Sequence, residues 1–194
     1  MTGQPSDLHD ESVDPDIVDS ELVYEGRVWD VRSDTFRYNG EELVRQYVDH
    51  PGAAAIVAVD DLERVLLIQQ YRHPIRHRDW EIPAGLLDVE GESPMAAAVR
   101  ELEEEADLTA SSWEPLVSIF TTPGGNDEVV HLFLARGISA RDAAHAREAE
   151  EADIRVEWVP LTEVVDAVLA GRMRNGILAT GVLAASERLR RAAP

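Results

Sequence analysis

The side chains best suited to chemistry in this sequence are three glutamates, Glu101, Glu104 and Glu105, which follow Arg100 in the run RELEEEADL. On a helix these four residues share one face, opposite an apolar face that can pack on a core. Glu101 and Glu105 are one turn apart, where like charges repel, and they lie towards the helix end at which the macrodipole favours cations. We expect a divalent cation to offset this cost, since Mg²⁺ and Mn²⁺ prefer oxygen ligands.

The helix that carries these glutamates has a recognisable start. Ser93 is a suitable N-cap and Pro94 suits the first helical position, so a helix is expected from there to about Ala106. The preceding residues, from Ala84 to Glu92, form a loop that contains glycine. Acidic helix faces are usually solvated surface, so the glutamates alone do not identify a site.

The spacing of residues over the whole stretch identifies the site more specifically than the glutamates alone. Gly85 is followed by six residues, Glu92, seven residues and then RELEEEADL. This closely resembles the Nudix box, G-x5-E-x7-R-E-U-x-E-E-x-G-U with U aliphatic, the signature of hydrolases that cleave nucleoside diphosphates linked to another moiety. The chain departs from the box by one extra residue before Glu92 and by Asp107 in place of the last glycine. Neither departure removes a carboxylate, and aspartate tolerates the left-handed conformation of a helix C-cap better than most residues.

Weaker motifs outside the box resemble the ADP-ribose pyrophosphatase branch of this family. They are QQYR from residue 69, PAG from residue 83, TPGGNDE from residue 122 and EEADIRV from residue 150. The resemblance implies an α+β fold, a Nudix α/β/α sandwich with a mixed sheet, plus a small N-terminal antiparallel β-sheet used in dimerisation. It also implies Mg²⁺, with Mn²⁺ possible, held by Glu101, Glu105 and the backbone carbonyl of Ala84, with Glu104 nearby.

The same resemblance implies the catalytic group. The base in this branch is a glutamate on a loop outside the box, and the matching residue here is Glu150, with Glu151 as the alternative and Glu148 as a more distant one. Arg100 joins the catalytic group through its place in the box. Without the resemblance, this acidic loop would be interpreted as solvated surface.

Residues that contact the substrate also follow from the resemblance. Arg45 and Arg72 match arginines that touch the substrate phosphates, and Glu128 matches a residue near the terminal ribose, with Gly125 in the same loop. Trp29 matches an aromatic side chain that stacks on adenine from the swapped N-terminal sheet of the partner subunit. Each residue has an ordinary alternative: a core or dimer contact for the tryptophan, surface ion pairs for the arginines and a plain turn for the glycine.

The elements that must position these residues divide the chain into three parts. Residues 1–19 are expected to be a disordered acidic tail, residues 20–50 a small antiparallel sheet with a hairpin turn at Asn39-Gly40, and residues 51–194 the Nudix hydrolase domain. Within that domain, residues 52–71 are expected to form a buried strand pair. Further strands are expected at residues 115–120, 129–136 and 154–161, and helices at residues 162–170 and 176–191.

Composition limits the partners. The net charge of −20 argues against binding to a nucleic-acid backbone or an anionic membrane through bulk electrostatics. All 18 basic residues are arginine, which excludes a phosphate-binding or Schiff-base lysine. Cysteine is absent, so disulfides and thiol nucleophiles are excluded. No apolar run is long enough to cross a bilayer and no secretory signal is recognisable, so a cytoplasmic location is expected.

The expected function is Mg²⁺-dependent hydrolysis of the diphosphate of ADP-ribose to AMP and ribose 5-phosphate by a homodimer, with a small-molecule nucleoside diphosphate derivative as substrate. The same chemistry on another nucleoside diphosphate sugar remains open, because the box handles the diphosphate and not the groups on either side. A non-catalytic module that binds nucleotides and an acidic protein-binding scaffold are the alternatives from other classes.

Overall fold

The structure is a computed structural model that describes residues 8–141 and 154–192. It divides into two compact units, Met1–Asp49 and His50–Pro194, which are considered separately below. No helix within the described residues combines the length and the apolarity that a membrane span requires.

In the N-terminal unit, the described residues form a three-stranded antiparallel sheet in the order β1 (Asp16–Tyr24), β2 (Asp30–Tyr38) and β3 (Glu41–Asp49). The hairpin turn between β2 and β3 is where the sequence places it, with Asn39 and Gly40 both at positive φ. The strand β1 begins at Asp16, four residues before the expected start of the sheet. The acidic segment can extend the strand because Asp16 pairs with Arg37 on β2, and the two side chains approach to 3.0 Å.

The described residues of the second unit form two sheets and three helices. Its elements, in chain order, are β4 (Ala53–Ala58), β5 (Arg64–Arg72), β6 (His77–Glu81), β7 (Ala84–Leu86), α1 (Pro94–Ala106), β8 (Leu108–Phe120), β9 (Val129–Ala140), β10 (Arg155–Pro160), α2 (Leu161–Leu169) and α3 (Gly176–Ala192). One sheet has the order β7-β4-β9-β8 and the other has the order β10-β5-β6. The first sheet is mixed, because β4 runs parallel to β9 while the other pairs are antiparallel.

The core lies on both faces of β4, whose six residues are all buried. Ala55 and Val57 face a cluster that includes buried residues of α2 and α3, whereas Ala54 and Ile56 face a second cluster with Ala98 of α1. Helical layers on both sides of a mixed sheet, together with the separate N-terminal sheet, give the α/β/α sandwich and the α+β class expected from the sequence.

One expectation about strand pairing is wrong. The buried strands β4 and β5 do not pair in one sheet, although Val59, just after β4, forms an isolated bridge with Val65 of β5. Both edges of β4 are already occupied, by β7 on one side and by β9 on the other. Because a strand has only two edges, β5 pairs instead with β6 and β10.

Candidate functional site

The helix α1 presents its acidic face in the way that the sequence predicts. Ser93 caps the first turn by accepting a hydrogen bond from the backbone N–H of Ala96, and Pro94 is the first helical residue. The helix ends at Asp107, which adopts the left-handed conformation at φ 55° where the box has glycine. Leu102 is fully buried in the core under the helix, so the glutamates on the other face are fixed in position.

Arg100 organises the carboxylates on this face. Its guanidinium contacts Glu92 at 2.9 Å, Glu101 at 2.5 Å and Glu104 at 3.2 Å. The hydrogen bonding of Arg100 to Glu92 lowers the pKa of the Glu92 carboxyl below its usual range, and the same contact is the chief reason that the pKa of Arg100 is raised. Arg100 therefore offsets part of the repulsion between the glutamates, which the sequence analysis expects a cation to offset.

Glu105 and Ala84 lie side by side. The Glu105 side chain is buried, with 7% of the residue exposed, and its carboxylate accepts a hydrogen bond of 3.0 Å from the backbone N–H of Ala84. Ala84 is the first residue of β7 and pairs with Ala55 of the central strand. A buried carboxylate thus lies beside the residue whose carbonyl is expected to bind metal, and this residue belongs to β7 rather than to the loop expected from the sequence.

Gly85 brings Glu101 against the same strand. A Cβ atom on Gly85 would lie 1.9 Å from the carboxyl carbon of Glu101, so only glycine leaves room for this carboxylate. The structure therefore gathers Ala84, Glu101 and Glu105 at one place, with Glu104 joined to Glu101 through Arg100.

The side chains at this place fit a hard divalent cation, because Glu101 and Glu105 offer carboxylate oxygens and Glu101 lies in a space that a methyl group on Gly85 would fill. Among the described residues, neither this place nor any other has three or more histidine, aspartate or glutamate side chains that could bind a metal by themselves. A site here would rely on two carboxylates, the backbone carbonyl and the substrate's own oxygens.

Arg72 has a partner that the sequence did not indicate. Glu81 on β6 accepts two hydrogen bonds of 2.7 Å from the Arg72 guanidinium, and Gln70 donates a longer one of 3.4 Å to the same carboxylate. The Glu81 residue is only 6% exposed. In the β5–β6 hairpin Glu81 is opposite Ile68 and Arg72 is opposite His77, so the long Arg72 side chain reaches along the hairpin to Glu81.

Glu128 and Gly125 lie in the loop between β8 and β9. The Thr121 hydroxyl donates to the Glu128 carboxylate, and the backbone N–H of Glu128 donates to Asn126. Gly125 closes a turn by donating its backbone N–H to the Thr122 carbonyl at 2.9 Å. The Glu128 side chain is 16% exposed, so it is fixed but reaches the surface.

The remaining candidates fall outside this arrangement. Trp29 and Arg45 belong to the N-terminal unit, where Trp29 is 48% exposed in the connection before β2 and Arg45 donates to the carbonyl of Val44. The exposure of Trp29 excludes the core alternative within this unit. Glu150 and Glu151 lie outside the described residues, as does Glu148.

Comparison with known proteins identifies a family and several relatives to which this chain is similar. The profile of the NUDIX domain matches residues 49–179. An ADP-ribose pyrophosphatase from Mycobacterium tuberculosis is 44% identical over 174 residues, which is 88% of this chain and 83% of that protein. A methanol dehydrogenase activator from Bacillus methanolicus is 37% identical over 135 residues, which is 69% of this chain and 72% of that protein.

A solved structure shares the fold. The crystal structure of an ADP compounds hydrolase aligns with a TM-score of 0.78 and covers 95% of this chain and 99% of that one. The two sequences are 20% identical, so this likeness concerns the fold alone. It confirms the fold class that the sequence predicts.

Proposed function

The chain belongs to the NUDIX domain family, and from that premise we propose that it hydrolyses ADP-ribose to AMP and ribose 5-phosphate. The observation that carries the proposal is the convergence of Ala84, Glu101 and Glu105 in a chain 44% identical to an ADP-ribose pyrophosphatase over most of both lengths. In this reaction the oxygen of water forms a bond to one phosphorus, and the bridging P–O bond breaks. One proton of the water passes to a base.

A divalent cation completes the site in this proposal. Glu101, Glu105 and the carbonyl of Ala84 would hold Mg²⁺, or Mn²⁺, with Glu104 nearby. When bound, such a cation neutralises the diphosphate and acidifies water at the site. The chain contributes rigid placement, because the hydrogen bond from Ala84 to Glu105 joins β7 to α1. Arg100 balances the negative charge of the acidic face.

We assign the base to Glu150, with Glu151 as the alternative. Replacement of the base by glutamine removes the proton acceptor but leaves the substrate contacts, so kcat should fall far more than KM rises. Comparing Glu150→Gln with Glu151→Gln identifies the base, and the assignment is wrong if only the second variant is impaired.

The proposal also assigns the residues that contact the substrate. Arg72, with Glu81 holding its guanidinium, and Arg45 bind the phosphates. Glu128 contacts the terminal ribose in a loop that Gly125 shapes. Trp29, exposed on its own unit, stacks on adenine across a homodimer formed by the swapped N-terminal sheet.

The test is a product analysis of the purified protein with Mg²⁺ and separate samples of ADP-ribose, ADP-glucose, GDP-mannose, NADH and a dinucleoside polyphosphate. We expect ADP-ribose to be hydrolysed fastest, giving AMP and ribose 5-phosphate. Faster cleavage of another compound would keep the chemistry and change the substrate. Failure to cleave any of them would contradict the enzyme and favour a module that only binds nucleotides.

A further inference from the structure

His50, the first residue of the second unit, makes contacts that no motif indicates. Its side chain is only 6% exposed, and Nε2 lies 3.5 Å from Oε1 of Glu128. On the other side of the ring, the backbone N–H of Gly52 donates to Nδ1 at 3.0 Å. Because Nδ1 accepts a hydrogen bond, the neutral imidazole carries its proton on Nε2, which is the nitrogen next to the Glu128 carboxylate.

The Glu128 carboxylate is held from two sides. Its Oε2 accepts from the Thr121 hydroxyl, and its Oε1 faces His50. The backbone of His50 also binds this loop, since its N–H donates to Asp127 at 2.9 Å. An ionised carboxylate has about four acceptor sites, so these two contacts leave capacity for a ligand.

The segment from His50 to Gly52 connects this loop to the acidic site. The Gly52 carbonyl accepts a hydrogen bond of 3.1 Å from the backbone N–H of Leu87, just after β7. The next residue, Ala53, pairs with the last residue of β7 on one side and with β9 on the other. Since Glu128 immediately precedes β9, its loop lies at the same end of the sheet as the strand that carries Ala84 and Gly85.

We propose that His50 is a positioning residue, which holds the Glu128 carboxylate in place and thereby determines how tightly the terminal ribose is bound. The inference rests on the proposed function, in which Glu128 contacts that ribose. Removing the contact from His50 should therefore have the same consequence as removing the charge of Glu128, namely a higher KM for ADP-ribose at nearly constant kcat.

Two substitutions separate the two nitrogens of the ring. Asparagine can replace Nδ1 as the acceptor for Gly52 but does not reach Glu128, whereas glutamine can offer an N–H near the position of Nε2. We expect His50→Asn to keep the melting temperature near wild type and to raise KM by about tenfold, the effect of one lost polar contact. His50→Gln should lower the melting temperature and recover most of the wild-type KM.

A double-mutant cycle with Glu128→Gln completes the experiment. If His50 acts through Glu128, the KM of the double variant His50→Asn with Glu128→Gln will equal that of Glu128→Gln alone. The proposal is overturned if the two effects multiply, if His50→Asn leaves KM unchanged, or if His50→Gln raises KM as much as His50→Asn.

The design separates this proposal from the proposed function. A wild-type protein that does not hydrolyse ADP-ribose contradicts the substrate assignment. The same cycle, measured as free energies of unfolding, then still reports whether His50 and Glu128 are coupled, and additive values would overturn the positioning role.

Discussion

At the scale of single residues, the acidic face of α1 is stabilised by contacts within the chain before any cation binds. Arg100 bridges Glu92, Glu101 and Glu104, and Glu105 is hydrogen-bonded to the backbone of Ala84. The glutamates therefore divide their work. Glu92 holds the arginine, while Glu101 and Glu105 face β7, beside which the diphosphate is expected to bind.

Glu105→Gln tests the metal assignment. Glutamine can still accept the hydrogen bond from Ala84, but it lacks the charge needed to hold Mg²⁺, so we expect turnover of ADP-ribose to fall by several orders of magnitude with little change in melting temperature. Glu103→Gln is the matched control on the same helix, because Glu103 pairs with Arg141 instead. Near-normal turnover by Glu105→Gln would refute the assignment.

The pair of Glu92 and Arg100 should make stability depend on pH. Since the pKa of Glu92 is lowered from its ordinary value of 4.5, the pair stabilises the fold above that value and loses its effect as pH falls through the lowered pKa. We expect Glu92→Gln to destabilise the protein at pH 7 and to differ progressively less from wild type in acid. Urea unfolding of both proteins at pH 7 and in acid gives their free energies of unfolding. A difference between the two proteins that does not change with pH would contradict the prediction.

The sequence could not predict those contacts of the site that join residues far apart in the chain. The resemblance to the Nudix box was sufficient to predict that Glu101 and Glu105 lie near Ala84. The role of Glu81 could not be predicted because its partner Arg72 lies across a hairpin. The role of His50 could not be predicted because it contacts Asp127, which is 77 positions away in the chain. Nothing in the local pattern around either residue indicates such a partner.

At the scale of elements, the site depends on how closely β7 approaches α1. The carboxylate of Glu101 occupies the space next to Gly85, and Ala84 is hydrogen-bonded to Glu105 in the following turn of the helix. The strand and the helix are thus in contact through the very residues that are expected to bind metal. A change in the packing of β7 against α1 should therefore also move the residues that are expected to bind metal.

Gly85→Ala tests that constraint. The added methyl group would lie 1.9 Å from the Glu101 carboxyl carbon, so either the side chain or the strand must move. Overpacking of this kind costs about 1–3 kcal/mol, and we expect a lower melting temperature together with weaker activation by Mg²⁺. Gly176→Ala is the control, since a Cβ there meets no atom within 4 Å. Equal behaviour of the two variants would show that the close approach has no functional effect.

Local signals predicted elements better than pairings. The caps of α1 and the turn at Asn39-Gly40 were predictable because each depends on a few neighbouring residues. The apolar runs of β4 and β5 correctly indicated two buried strands, but they could not show that β7 and β9 would occupy both edges of β4. Strand partners are chosen by the whole sheet, so a local pattern cannot determine them.

At the scale of the whole molecule, the N-terminal unit carries many exposed apolar side chains on its three strands, including Ile17, Val18, Leu22, Val23 and Val44. Such exposure is expected for a surface that pairs with another subunit. It supports the proposal that this sheet mediates dimerisation, which the sequence analysis expects from the family resemblance.

Truncation tests the role of this unit. Deleting residues 1–15 removes only residues before β1, so we expect a dimer with unchanged activity. Deleting residues 1–40 removes β1 and β2, and we expect a monomer with greatly reduced turnover of ADP-ribose. Light scattering coupled to size-exclusion chromatography gives the mass of each variant. An active monomer from the longer deletion would contradict the swapped-sheet arrangement.

The central claim is that Ala84, Glu101 and Glu105 form a metal-dependent site that splits the diphosphate of ADP-ribose. The most direct measurement quantifies AMP and ribose 5-phosphate from ADP-ribose in Mg²⁺, after a chelator is added and after Mg²⁺ is restored. We predict equal amounts of the two products, loss of both with the chelator and full recovery with Mg²⁺. Hydrolysis that persists in the chelator, or no hydrolysis in Mg²⁺, would contradict the claim.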